Sequence, residues 1–208
     1  TTFSSDVSVG GNAYFGNADG SNVDFASNLN VTGTTTITDD VTVAGNFDGT
    51  GALDVDDVLN VTGNLTTNAV TNDAVVTVTG DFTASGTVTA NDNVNVTGDF
   101  ELADTKDVAL ADNKTFDVMG DVTLNGNAQF TTNGTVRLLG DSTQTYTAGT
   151  SNFTADTLHI NNSDGIILAG NDLDLSNSAL LLDDGVLNAR MNSLNVVLMQ
   201  GVAASQPD

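Results

Sequence analysis

Few residues in this chain could carry chemistry, and their spacing suits it poorly. His159 is the sole histidine and stands between Leu158 and Ile160. In an alternating strand that placement turns its ring outward, away from the two apolar neighbours. A catalytic dyad needs a nucleophile within hydrogen-bond reach of its base. No nucleophile motif accompanies His159.

Carboxylates are abundant. The chain carries 27 acidic residues against four basic ones, Lys106, Lys114, Arg137 and Arg190, for a formal net charge of −23. Paired carboxylates can hydrolyse glycosides. Sugar-binding grooves also draw on basic and aromatic side chains, and here there are two tyrosines, Tyr14 and Tyr146, and no tryptophan. The expected answer on catalysis is therefore no enzyme and no catalytic residues.

Acidic turns can also hold calcium, a hard cation that takes oxygen ligands. Asp39, Asp40, Asp54, Asp56 and Asp57 are the candidate ligands, followed by Asp19-Gly20 and Asp183-Asp184-Gly185. None of these fits an EF-hand loop or a Gly-Gly-x-Gly-x-Asp repeat. Solvated acidic turns are the plainer reading, with calcium the one cofactor to consider. Asn-x-Thr recurs at Asn30, Asn60, Asn64, Asn95 and Asn133. It is read as a by-product of two abundant outward strand residues rather than as a set of glycan acceptors.

The charge bounds the partners. Phosphate binding needs clustered Lys and Arg, so nucleic acid is excluded. No apolar run approaches the ~20 residues of a membrane helix. The absence of cysteine removes disulfides and thiolate metal sites. The chain opens at Thr1 without a methionine, which fits a processed or excised segment.

The elements are easier to read than the chemistry. Val94-Asn95-Val96-Thr97-Gly98-Asp99-Phe100 alternates apolar and polar residues, meets a glycine, and turns apolar again. Period-two alternation marks a half-buried strand, and Gly-Asx marks the break to the next. The phrase recurs at Val7, Leu29, Val41, Leu59, Val76, Phe116, Val136 and Ile166. Its glycines fall at 11, 33, 45, 63, 80, 98, 120, 140 and 170, with a steady middle period and irregular ends. The irregular steps suggest insertions or merged repeats.

A period near 20 with several short strands is a solenoid signature. Val, Thr, Asn, Asp and Gly are poor helix formers. The fold class expected is all-β: a parallel β-helix, or β-solenoid, of about 17 to 22 residues per coil with little or no helix. One domain is expected over 1–202, with a flexible tail over 203–208. Each apolar pair should point inward, as should Phe47, Leu65, Phe82, Phe100 and Val122 on the next side. Roughly ten or eleven coils are expected, about 4.8 Å apart.

Solenoids expose unpaired strand edges at their ends and usually cap them. No amphipathic capping helix is visible at either terminus. The candidate assembly interface is Phe3, Val7 and Val9 at one end and Val196, Val197, Leu198 and Met199 at the other. Head-to-tail contact that does not close makes a filament, so the expected partner is the chain itself.

Two resemblances follow from the strings. Thr157-Leu158-His159-Ile160-Asn161-Asn162, with Gly165-Ile166-Ile167-Leu168-Ala169-Gly170-Asn171 and Leu180 to Leu187, resembles repeats of large secreted surface proteins of Bacteroidetes-type bacteria. The Val-x-Val-x-Gly-Asn phrases resemble repeats of phage tail fibres. The first resemblance implies a secreted, extracellular or cell-surface protein, and the second a trimeric fibre. Neither carries catalytic residues. The expected function is a non-enzymatic structural subunit of an extracellular filament, surface layer or matrix. An adhesin or a trimeric fibre stalk is the alternative.

Overall fold

A computed structural model describes residues 1–16, 22–150, 152–189 and 195–198. Every regular element among them is a β-strand, and most strands are three residues long. Three strands make one coil. Coil 6, for example, is Val94–Val96, Phe100–Leu102 and Asp107–Leu110. The first face stacks ten strands, from Thr2–Phe3 to Ala179–Asp184, and the second stacks ten, from Val7–Val9 to Leu187–Asn188. The third runs through seven, from Ala13–Phe15 to Gln129–Thr132. It continues through an Asn152–Asp174 bridge to the paired strands Leu173–Leu175 and Val196–Leu198. Pairing is parallel throughout, as the solenoid reading requires.

The burial pattern explains why these sequences stay in register. In Val94–Val96 the two valines are buried and Asn95 between them is half-exposed, and the same pattern repeats on each face. A one-residue slip would turn both valines to water, which pins each strand. Val41 sits on Leu59, Leu59 on Val76, and Val76 on Val94. No coil can bury this stripe alone, so stability is a sum over neighbouring coils.

The core does not simply stack like on like. Phe47, Leu65, Phe82 and Phe100 lie on the second face, followed by Val122. In that coil Phe116 on the first face and Phe130 on the third fill the space. Their rings stand 4.7 Å and 6.0 Å from Phe100. A close-packed interior needs constant volume per coil, and it is met by moving the ring from one face to another.

Coil length ranges from 17 residues, Leu59 to Val76, to 24, Val122 to Tyr146, slightly beyond the expected range. The first corner, between first and second faces, keeps three residues from coil 1 through coil 7. Extra residues enter the other two corners. There Thr105 and Asn113 take positive φ values of 63° and 59°.

The irregular glycine steps have a different cause from inserted repeats. The phrases at Val7, Leu29 and Ile166 lie on the second face, while those from Val41 to Val136 lie on the first. The steps from Gly33 to Gly45 and from Gly140 to Gly170 are changes of face. The outward middle residues of these phrases divide in the same way. Ser8 and Asn30 belong to one face, and Thr42, Asn60, Thr77, Asn95 and Asp117 to another.

Candidate functional site

Three places gather chemical groups: the first corner, the third corner, and the two ends. The first corner is a continuous hydrogen-bonded ladder. Asn46 N–H donates to Asn28 Oδ1 at 2.9 Å, and Asn64 N–H to Asn46 Oδ1 at 3.0 Å. Asp81 N–H donates to Asn64 Oδ1, Asp99 N–H to Asp81 Oδ1 and Asp121 N–H to Asp99 Oδ1. Asp6 begins the ladder by accepting from Asn28 N–H, and Thr145 N–H closes it on Asp121. Asp6 is held below the usual carboxylate range by the Ser27 hydroxyl and the Asn28 amide. Gly63, Gly80, Gly98 and Gly120 run alongside, each donating its N–H to the preceding glycine's carbonyl. The sequence marked these residues as punctuation. That each side chain bonds the coil above follows only from register.

The third corner holds Asp39, Asp40, Asp56 and Asp57, with Asp54 on the third-face strand that leads into it, while Asp183 and Asp184 end the last first-face strand. Asp40 contacts Asp57, and its carboxyl is raised, first by burial, then by the Asp57 hydrogen bond and the charges of Asp57 and Asp39. Asp54 is raised by burial and by Asp56 and Asp73. Calcium takes roughly six to eight oxygens. No group of three acidic or histidine side chains able to hold a metal ion occurs among the described residues. The structure brings Asp40 and Asp57 together as a pair. A hydrogen-bonded carboxyl pair is also closer than the roughly 5 to 9 Å spacings that glycosidases use. Asp19-Gly20 lies outside the described residues.

A raised carboxyl pKa has a definite consequence for stability. Its contribution is complete below the unfolded-state pKa and is lost as pH rises through the folded-state value. Asp40 and Asp54 therefore support the fold below the ordinary carboxylate pKa of 3.8 and lose that contribution as pH rises above it, so that both weigh against the fold at neutral pH. Asp57→Asn removes the repulsion while keeping an oxygen for the Val58 N–H that Asp57 Oδ1 accepts at 2.8 Å. The variant is expected to be more stable than wild type at neutral pH and to lose that advantage in acid, as read by urea midpoints across the pH range.

Two of the basic groups, Arg137 and Lys114, are neutralised locally. Arg137 forms a two-point pair with Asp117, with Nε 2.6 Å from Oδ1, and this raises the guanidinium further. Lys114 meets Asp92 at 3.0 Å. Burial of Asp92 opposes its ionisation, but the Asn93 amide and Lys114 outweigh that and hold it low. His159 faces outward as expected, and its Nε2 lies 2.7 Å from Asp183 Oδ2. Asp183 is the extra residue of a β-bulge in the last first-face strand. No hydroxyl bonds to His159 among the described residues, so the pair lacks a nucleophile. An open recess of about 380 Å³ is lined by Thr143, Asp164, Ile166, Ile167, Val186 and Asn188, and neither His159 nor Asp183 reaches it. No imidazole, lysine or arginine lines it.

At the first end, Phe3 stacks on Phe25 with ring centroids 5.0 Å apart, yet remains 39% exposed. Val7 and Val9 are only half-buried, beside fully buried Leu29 and Val31. At the other end Val196, Val197 and Leu198 pair with Leu173, Asp174 and Leu175. Met199 lies outside the described residues.

No family model, no curated protein and no solved structure matches this chain. The surface-protein and tail-fibre resemblances therefore rest on their strings, and what stands is the parallel β-solenoid common to both. No helix among the described residues is long and apolar enough to cross a membrane.

Proposed function

We propose that this chain is a non-enzymatic structural rod, a secreted subunit that stacks end to end in an extracellular filament, surface layer or matrix. The observation that carries the reading is the first coil. Among the described residues its strands have partners on one side only, and its apolar side chains (Phe3, Val7 and Val9) stay partly in water where their counterparts one coil on are dry. A parallel edge of this kind is a template for another strand. The matching surface is the edge of the last coil in a second copy, since each junction within the rod is already a coil laid on a coil. Such a contact is heterologous and need not close.

Charge sets the conditions. The acidic residues are spread along the whole rod, while the three strands of coil 1 carry none and Asp6 sits in its first corner. Net repulsion opposes assembly at low salt and weakens as the Debye length falls below about 10 Å, near 0.1 M salt. Association is therefore expected to rise with ionic strength. Phe3→Asp is expected to abolish it while leaving the far-ultraviolet spectrum unchanged, as followed by sedimentation velocity. An equal sedimentation profile for wild type and variant at every salt concentration refutes the reading.

A further inference from the structure

We propose that Asn133-Gly134 is a site of spontaneous backbone modification, where Asn133 converts through a cyclic imide to aspartate and isoaspartate with water as the only co-reactant. The chain has two Asn-Gly pairs, Asn125-Gly126 and Asn133-Gly134. Glycine places no Cβ beside its amide nitrogen, so that nitrogen is the least hindered backbone nucleophile. The Gly134 nitrogen bonds to Asn133 Cγ, and the Cγ–Nδ2 bond breaks. Nδ2 leaves as ammonia, carrying the proton that the amide gives up. Water then opens the ring. Attack at Cγ gives aspartate. Attack at the Asn133 backbone carbonyl carbon gives isoaspartate, with the main chain rerouted through the side chain.

The two pairs are held very differently. Asn125 Nδ2, the nitrogen that would have to leave, donates to Glu101 Oε1 at 2.9 Å and to the Leu102 carbonyl at 3.1 Å. The Asn125 carbonyl accepts from Ala128 N–H at 2.9 Å, which fixes the turn. Asn133 is exposed, in a two-residue corner between Gln129–Thr132 and Thr135–Gly140. Among the described residues its carboxamide has no hydrogen-bond partner, and neither does the Gly134 N–H. Intrinsic reactivity is thus shared, and of the two leaving carboxamides only that of Asn125 is tied down.

The consequence is local. Gly134 is buried, and a Cβ there would lie 2.6 Å from Leu110 Cβ and 2.8 Å from the Lys114 carbonyl. Thr135 N–H donates to that same carbonyl at 2.9 Å. One extra main-chain atom at this corner loosens coil 7 against coil 6. The new carboxylate adds to an already acidic rod. In a long-lived rod the change accumulates with age, and its chemistry does not depend on end-to-end assembly.

The test uses the full folded chain in mildly alkaline buffer, sampled over time. Trypsin cuts after Lys114 and Arg137, so one peptide, residues 115–137, carries both pairs. Fragmentation of that peptide by mass spectrometry locates the change. The expected result is conversion at Asn133 with Asn125 intact, and conversion at both in urea. Asn133→Gln, at an exposed position, is expected to leave the folded chain's peptide unmodified. Conversion of Asn125 in the folded chain at the rate of Asn133 or faster overturns the proposal. So does a folded chain that converts at neither while the urea sample converts at both, or a modified peptide in the Asn133→Gln variant.

Discussion

Gly98→Ala is expected to cost about 3 kcal/mol, the upper end of what overpacking a filled site costs, read as a fall in the urea midpoint. The backbone at Gly98 does not require glycine for its φ, since the positive-φ glycines are Gly126, Gly140, Gly165, Gly170 and Gly185. Glycine is required by distance. A Cβ at Gly98 would lie 2.5 Å from Asp81 Oδ1 and 2.6 Å from the carbonyl carbon and oxygen of Gly80. Neither neighbour is free to yield. Asp81 Oδ1 holds the Asp99 N–H, and the Gly80 carbonyl accepts from Gly98 itself. Two control substitutions, at Gly10 in a corner and at Gly49 in a strand, separate this from a general dislike of alanine. Gly10 has nothing within 4 Å of the added carbon, so Gly10→Ala should fall within about 0.5 kcal/mol of wild type. At Gly49 the contacts begin at 3.5 Å, so Gly49→Ala should be neutral or stabilising by about 0.5 kcal/mol through the unfolded state. Equal losses at all three positions would contradict the stacked-corner account.

Phe100→Ala is the other large effect, with an expected loss of about 3 to 5 kcal/mol. Phe100 is fully buried, and its ring centroid lies 5.3 Å from Phe82 and 4.7 Å from Phe116. It bridges the regular coils to the longer ones, where the aromatic stack moves from the second face to the first and third. Removing it opens a void that neighbouring main chain, tied into parallel ladders on both sides, cannot collapse to fill. Because stability is a nearest-neighbour sum, the loss should appear first as faster amide exchange in coils 5 to 7. Val88→Ala, which removes a smaller buried side chain from a neighbouring third-face strand, should cost distinctly less. A protection loss spread evenly from coil 1 to coil 10 would count against the nearest-neighbour picture.

Much of this architecture is legible in the chain because the first corner never changes length through coil 7. Three residues always separate Val43 from Phe47, Val61 from Leu65 and Val96 from Phe100, so alternation and punctuation repeat together. The other corners vary, as at Thr105 and Asn113, and there the period blurs. The same phrase also serves two faces. Without register, Leu29-Asn30-Val31 and Val41-Thr42-Val43 look like successive coils, although they stand on different sides. Pairwise contacts between coils are the least legible. Arg137 with Asp117, His159 with Asp183 and Asn46 with Asn64 are about a coil apart in sequence, a distance that depends on the length of every intervening corner. The acidic turns were visible, but not that Asp40 would meet Asp57 rather than converge with Asp54 on a cation.

Electron microscopy of the purified protein across a salt series tests the central claim most directly. Ten coils at about 4.8 Å give a rod about 45 Å long, so end-to-end stacking predicts filaments one coil stack wide with an axial repeat near 48 Å. The strand spacing should run unbroken across each junction. Short isolated rods at every salt and protein concentration, with Phe3→Asp indistinguishable from wild type, would contradict end-to-end assembly.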